Sequence, residues 1–173
     1  MQRNAKSFML PQRPYVPLGT LRRAATYPLD AKSVPDADIL EALESVGLGH
    51  LKDRLDEENP WEQTLSGGEK QRLAFARIFL HNPDIIVLDE ATAALDPESQ
   101  DKLMELLSSQ PESTALVSVG HRPELEAFHS RKVVLERRKG GAKLVSDIKL
   151  VAKPRRTRFL KGLLRGKKRK QAA

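Results

Sequence analysis

Residues Leu65 to Arg72 read LSGGEKQR, and about a dozen residues later comes Ile85-Ile86-Val87-Leu88-Asp89-Glu90. Ser66-Gly67-Gly68-Glu69 fits the S-x-x-E capping box, in which Ser66 and Glu69 satisfy backbone N–H groups left unpaired at a helix start. The two glycines carry no side chain, so a ligand can approach the backbone closely. Free N–H groups and the helix dipole make such an end attract anions, phosphate among them. The apolar run after Asp84 reads as a parallel strand covered on both faces, and ligands of such sheets sit beyond the carboxyl ends of the strands. Asp89 and Glu90 stand at that end. Two adjacent carboxylates there suit a magnesium ion, which takes oxygen ligands, beside a base or water-orienting group for phosphoryl transfer. Alone, S-x-x-E is a helix cap and a hydrophobic strand ending in an acid is common; their order and spacing together point to a phosphate site.

These residues need elements to hold them. Residues 1–12 read as a strand running into a loop where Pro11, Pro14 and Pro17 restrict the backbone to extended and turn conformations. Residues 18–63 are mainly helical with loops. Here Pro35 near a helix start, Ile39, Leu40, Leu43 and Val46 on one face, and Gly47 just past the end mark one helix. From Ser66 to about Val145 helix and strand alternate: the capped helix, the strand at Ile85, a helix after Pro97 with Leu103, Leu106 and Leu107 inward, and a strand over Ala115–Val119. A hairpin over Lys132–Leu135 and Ala142–Val145 turns at Gly140-Gly141.

Composition sets the outer bounds. The chain has 173 residues, enough for one domain with its own core although aromatics are only 5%. It has no cysteine, which excludes disulfides and thiolate sites. Its apolar runs are a few residues long, against the ~20 needed to cross a bilayer, and Met1–Leu10 lacks the apolar core of a signal peptide. Residues 147–173 differ from the rest: 11 Lys and Arg against one acid give +10, while the other 146 residues hold 19 basic and 22 acidic groups, or −3. Such a block reads as a solvated, disordered tail. Its Phe159, Leu160, Leu163 and Leu164 among Arg158, Lys161 and Arg165 also fit a short basic amphipathic helix at an anionic membrane, weakened by Gly162 and Gly166. Nucleic acid is the poorer partner, because no aromatic platform for base stacking accompanies the charge.

LSGGEKQR followed by IIVLDEATAALD closely resembles the ATP-binding cassette of ABC transporters, over roughly Phe8 to Val145. The resemblance implies an α/β fold of the P-loop NTPase class: a RecA-like parallel sheet, with residues 1–146 forming a partial cassette, a helical subdomain over about 18–63 and a core over about 66–146. It implies ATP and magnesium as ligands. Phe8-Met9-Leu10-Pro11-Gln12-Arg13-Pro14-Tyr15 resembles the Q-loop, which would set Gln12 near magnesium and the attacking water. Ser66, Gly67 and Gly68 would meet the γ-phosphate of a nucleotide held mainly by an opposing subunit. Asp89 would hold magnesium, usually through water, and Glu90 would polarise the hydrolytic water. Ala94-Leu95-Asp96 resembles the D-loop at the dimer interface, and Asp96-Pro97-Glu98 equally reads as an N-cap followed by proline at the first helical position. His121 matches the switch histidine at the γ-phosphate. His50, His81 and His129 match nothing and read as structural or solvated.

The flanking segments are similar to the branch that fuses a six-helix membrane domain to the cassette, annotated for peptide, cobalamin or fatty-acyl transport. The implied partners are a membrane domain and a second cassette packed head to tail, and the implied location is the cytoplasmic face of the plasma membrane, peripherally. The sequence holds no G-x-x-x-x-G-K-[ST], the loop whose amides and lysine grip the phosphates. Gly67-Gly68-Glu69-Lys70-Gln71 has the wrong glycine spacing to replace it. The expectation is therefore a cassette without its phosphate-loop strand and helix, from a truncated or split gene or a late start, with negligible ATPase activity alone. Two functions follow: the ATPase subunit or fragment of a transporter, or a non-enzymatic remnant or regulator that docks without hydrolysing ATP.

Overall fold

The computed structural model of the protein describes residues 5–111 and 113–151. Three short strands, β1 (Ser7–Leu10), β2 (Ile85–Asp89) and β3 (Ala115–Val119), form a parallel sheet in the order β1-β2-β3. Parallel neighbours cannot be joined by a tight turn, so the chain must leave the sheet between them. Between β1 and β2 it forms α1 (Leu21–Thr26), α2 (Asp36–Ser45), α3 (Trp61–Thr64) and α4 (Gly67–His81), with short 3₁₀ turns at Ala31–Ser33 and Gly49–Arg54. Between β2 and β3 it forms α5 (Pro97–Ser108). A 3₁₀ turn over Pro123–Phe128 then leads to an antiparallel hairpin, β4 (Arg131–Arg138) and β5 (Gly141–Lys149). The tight turn works because Gly140 and Gly141 take φ of 95° and 134°, where a side chain would clash.

The end signals behave as their chemistry requires. α2 follows Pro35, buries Ile39, Ala42 and Leu43, and stops before Gly47, whose φ of 75° no L side chain takes readily. Leu106, expected to point inward from α5, is only half-buried, whereas Leu103, Met104 and Leu107 are buried. β5 runs to Lys149, past the change of composition at Asp147. The amphipathic pattern at 158–165 lies outside the described residues.

α4 is the central helix. Leu73, Ala74, Phe75, Ala76, Ile78 and Phe79 are buried around most of its circumference, in one core with Leu10, Ile86 and Leu88 of the sheet and Leu103 and Met104 of α5. β2 was expected to be covered on both faces; the structure corrects this. Ile86 and Leu88 are buried, but Ile85 and Val87 are half-buried. On the same open face Met9, Val117 and Val119 are 57%, 49% and 56% exposed. No described element packs there, and strand alternation sends every second side chain towards it.

Within the core α4 carries a buried cation. Arg77 Nε donates to Ala24 O at 2.9 Å and Nη1 donates to Tyr15 O at 2.9 Å, with the guanidinium 5.6 Å over the Tyr27 ring. Burial pushes its pKa down to about 10. The side chain thus ties the loop after β1 to α1. Replacing Arg77 by Met keeps length and apolar packing but leaves two carbonyls short of a donor, so unfolding in urea should show a loss of about 2–4 kcal/mol. An unchanged midpoint would mean the two carbonyls find other partners.

Candidate functional site

Register decides which residues meet at the carboxyl ends of the strands. Leu10 pairs with Leu88, and Asp89 pairs with Val119. Two residues beyond the first pair stand Gln12 and Glu90, and two beyond Val119 stands His121. Gln12 Nε2 donates to Glu90 Oε2 at 2.9 Å, and His121 Nδ1 lies 3.7 Å from Glu90 Oε1. Two residues far apart in sequence, Gln12 and His121, thus converge on the Glu90 carboxylate. His121 is 78% exposed and Glu90 36%, so the carboxylate remains open to solvent and ligand.

Glu90 also adopts φ of 47°, a left-handed conformation that costs a glutamate on the order of 1–3 kcal/mol. Two backbone bonds hold it: Glu90 N–H donates to Val119 O at 2.9 Å, and Ala93 N–H donates to Glu90 O at 3.0 Å. The strain turns the chain sharply after β2 and aims Glu90 across the strand ends towards Gln12. Asp89, the last residue of β2, sits half-buried beside it on the open face.

At the other end of the site the capping box at α4 is complete. Glu69 N–H donates to Ser66 Oγ at 3.3 Å, while Ser66 N–H and Oγ–H donate to Glu69 Oε2 at 2.9 and 2.7 Å. These bonds, with His50 Nε2 at 3.2 Å from Glu69 Oε1, hold the Glu69 carboxyl below the usual range. Gly67 and Gly68 pack close to the segment after β2: a Cβ on Gly68 would lie 3.4 Å from Ala94 O. Asp96 caps α5, its Oδ1 accepting from Ser99 N–H at 2.9 Å with Pro97 following, which bears out the capping half of its reading.

Two residues that sequence reasoning passed over join these groups. Gln71, buried on α4, accepts from Ala94 N–H at 3.0 Å through Oε1 and donates to Gln12 O at 3.4 Å through Nε2. Arg122 donates to Ala93 O at 3.1 Å, Leu95 O at 3.4 Å and Gln100 Oε1 at 3.0 Å. Only their positions, inside LSGGEKQR and next to His121, signalled them. The remaining histidines have structural partners. His81 Nε2 lies 3.2 Å from Tyr27 O, and His129 spans Leu125 O and Ser118 Oγ at 2.8 and 2.9 Å. Among the described residues no group of three acidic or histidine side chains could hold a metal by itself. One or two carboxylates completed by phosphate and water are nevertheless what magnesium commonly uses, so the Asp89 carboxylate at the end of β2 suits that ion.

A parallel α/β domain with an acidic strand end and a capped, glycine-rich helix start is the class that this geometry defines. The chain belongs to the ABC transporter family, whose model matches residues 2–93. It is 42% identical over 127 residues to an uncharacterized ABC transporter ATP-binding protein of Haemophilus influenzae, covering 73% of this chain and 22% of that one. It is 43% identical over 151 residues to the lysosomal cobalamin transporter ABCD4 of Mus musculus, covering 82% and 24%. The structure of a bacterial Atm1-family ABC exporter with ATP bound is similar with a TM-score of 0.67 and 26% identity, over 76% of this chain and 23% of that one. The chain thus spans about a quarter of the length of these relatives. The resemblance read from the sequence and the α/β fold are both borne out.

The capping box makes stability depend on acid. Because the folded Glu69 pKa is lowered, its contribution is present above the ordinary glutamate value of about 4.3 and is lost as pH falls through the folded value. Ser66→Ala should cost about 1 kcal/mol near neutral pH and raise the Glu69 pKa, so the gap between variant and parent narrows in acid. Urea midpoints across pH, with carboxyl NMR titration of Glu69, measure both; a gap independent of pH would contradict the account.

Proposed function

We propose that this chain is part of the ATP-binding cassette of an ABC transporter and contributes to ATP-driven transmembrane transport. The observation that carries this reading is the convergence of Gln12 and His121 on Glu90 at the carboxyl end of β2, linked through Gln71 to the helix that begins at Ser66. Glu90 orients and polarises the water that attacks the γ-phosphate, and Gln12 holds the Glu90 carboxylate in place. His121, beside the carboxylate oxygen of Glu90 that Gln12 leaves free, contacts the γ-phosphate. Asp89, with Gln12 near, is the residue to hold magnesium, which when bound neutralises phosphate charge. Gly67 and Gly68 offer their amides, beside the Ser66 side chain, to the nucleotide of an opposing cassette, and Asp96 stands at that interface.

The partners in this reading are a second cassette and a transporter membrane domain, with the chain peripheral to the cytoplasmic face of the membrane. Among the described residues no helix is long and apolar enough to cross a membrane. The helical zone over about 18–63 is the docking region for the membrane domain; Leu18 at its start is 75% exposed and Tyr15 just before it 61%. Residues 147–173 add attraction to anionic lipid through their positive charge. Substrate choice belongs to the membrane domain. The absence of G-x-x-x-x-G-K-[ST] favours hydrolysis only in combination with a partner, since that loop supplies most phosphate contacts.

Phosphate release tests this. The chain alone should show negligible ATPase activity, and mixing it with a cassette that carries an intact phosphate loop should restore turnover. Ser66→Ala or Gly68→Asp should then lower the rescued rate by about tenfold or more, the aspartate because its charge opposes the phosphate. Equal rescue by parent and variants would refute the role of the α4 terminus, and turnover by the chain alone that Glu90→Gln abolishes would refute the need for a partner.

A further inference from the structure

His50 belongs to no motif of the sequence, yet the structure gives it a fixed place. It lies in the 3₁₀ turn Gly49–Arg54, between the buried side chains of Leu48 and Leu51. Leu48 N–H donates to Leu43 O at 2.8 Å and Leu51 N–H to Leu48 O at 3.0 Å, which ties the turn to the end of α2. Anchored on both sides, the His50 ring reaches α4, where Nε2 lies 3.2 Å from Glu69 Oε1. The His50 side chain is 56% exposed and that of Glu69 22%, so the imidazole exchanges protons with solvent while the carboxylate is sheltered.

The other oxygen of the same carboxylate holds Ser66. Glu69 Oε2 accepts from Ser66 N–H at 2.9 Å and from Ser66 Oγ–H at 2.7 Å. A serine hydroxyl has one proton, and here that proton is committed to Glu69 while Oγ accepts from Glu69 N–H. In this state Ser66 turns a lone pair rather than a proton to an incoming phosphate. The Glu69 carboxylate, in the first turn of α4, adds a like charge nearby. Both oppose an anion at the Gly67 and Gly68 amides. An imidazolium at Oε1 acts against both, because it draws carboxylate charge away from Oε2, which loosens the hydroxyl proton, and cancels the local negative charge. We infer that His50 is a positioning residue for Ser66: protonated, it neutralises Glu69 and releases the Ser66 hydroxyl to donate to phosphate, so the α4 terminus binds an anion more tightly with His50 charged than neutral.

Glu69 can carry this signal because it stays ionised while histidine titrates. The bonds from the Ser66 hydroxyl and amide, with the His50 contact, hold its carboxyl below the usual glutamate range. The other charges around the turn are Glu44 of α2, whose carboxylate lies over Gly49, Arg72 of α4, which packs on Gly47, and Lys52, Asp53 and Arg54 of the turn itself. Lys70 of α4 is held by Glu62 at 3.0 Å, and Arg54 by Glu57. Among the described residues the ion-pair partner of His50 is Glu69. The inference rests on the reading above for the identity of the anion as nucleotide, while the link from His50 to Ser66 is defined by the contacts themselves.

The test uses the full chain, first without nucleotide. In NMR spectra across pH the Ser66 amide and the Glu69 carboxyl should shift with the midpoint of the His50 ring. His50→Gln, which keeps a donor but takes no charge, should remove that inflection. Sulfate, whose charge is constant over this range, then serves as the anion, followed through the Gly67 and Gly68 amides. Its Kd should rise about two- to fivefold as pH passes upward through the His50 midpoint, the size expected of a half-exposed ion pair. His50→Gln should bind at the weaker level at every pH, and His50→Lys, charged throughout, at the tighter one. In hydrolysis rescued by a cassette with an intact phosphate loop, KM for ATP should follow the same order. A Ser66 amide blind to His50, an inflection that survives His50→Gln, or equal sulfate Kd in parent and both variants overturns the inference. So does rescued hydrolysis with one KM for all three. Sulfate binding that follows His50 with no rescue of hydrolysis supports the positioning role and refutes the transport reading alone.

Discussion

The register of three parallel strands is the constraint on which the site depends. Leu10 opposite Leu88 brings Gln12 to Glu90, and Asp89 opposite Val119 brings His121 to the same carboxylate. A slip of one residue would turn Leu10 or Ile86 and Leu88 out of the core and at the same time move Gln12, Glu90 and His121 apart. Core and site are thus specified by the same alignment. α4 enforces it from below, with a face of buried apolar residues against the sheet and Arg77 fixing the loop that follows β1. The left-handed turn at Glu90 draws on this rigidity, because its strain persists only where the surrounding bonds leave no alternative.

The site has two ends, and the side chains between them do the joining. Gln71 reaches both Gln12 and Ala94, so the loop after β1 and the loop after β2 are tied to the helix that starts at Ser66. Arg122 ties His121's neighbourhood to Ala93 and Leu95. A displacement of the Ser66 turn therefore has bonded routes to Gln12 and to the segment after Glu90.

How far the sequence could be read follows from the range of each interaction. The capping box, the proline after Asp96, the helix between Pro35 and Gly47 and the hairpin turn at Gly140-Gly141 are local, so a few adjacent residues specify them. The convergence of Gln12, Glu90 and His121 was legible only through resemblance, because a register cannot be deduced from isolated strands. Gln71, Arg77 and Arg122 escaped notice because each acts through backbone carbonyls or amides distant in sequence, which leave no periodicity. The double coverage expected for β2 failed for a related reason. An apolar run records the environment that a strand can occupy, while the covering depends on other elements, and those described here cover one face.

The central claim, that register assembles Gln12, Glu90 and His121 into one site, is open to a direct measurement by nuclear Overhauser contacts in the isotopically labelled chain. The account predicts contacts from the Gln12 side-chain amide to the Glu90 methylenes and from Glu90 to the His121 ring, alongside backbone contacts between Leu10 and Leu88. Backbone contacts between Leu10 and Leu88 with none between Gln12 and Glu90 would contradict it, for the sheet would then be aligned as described while the site it is meant to build is absent.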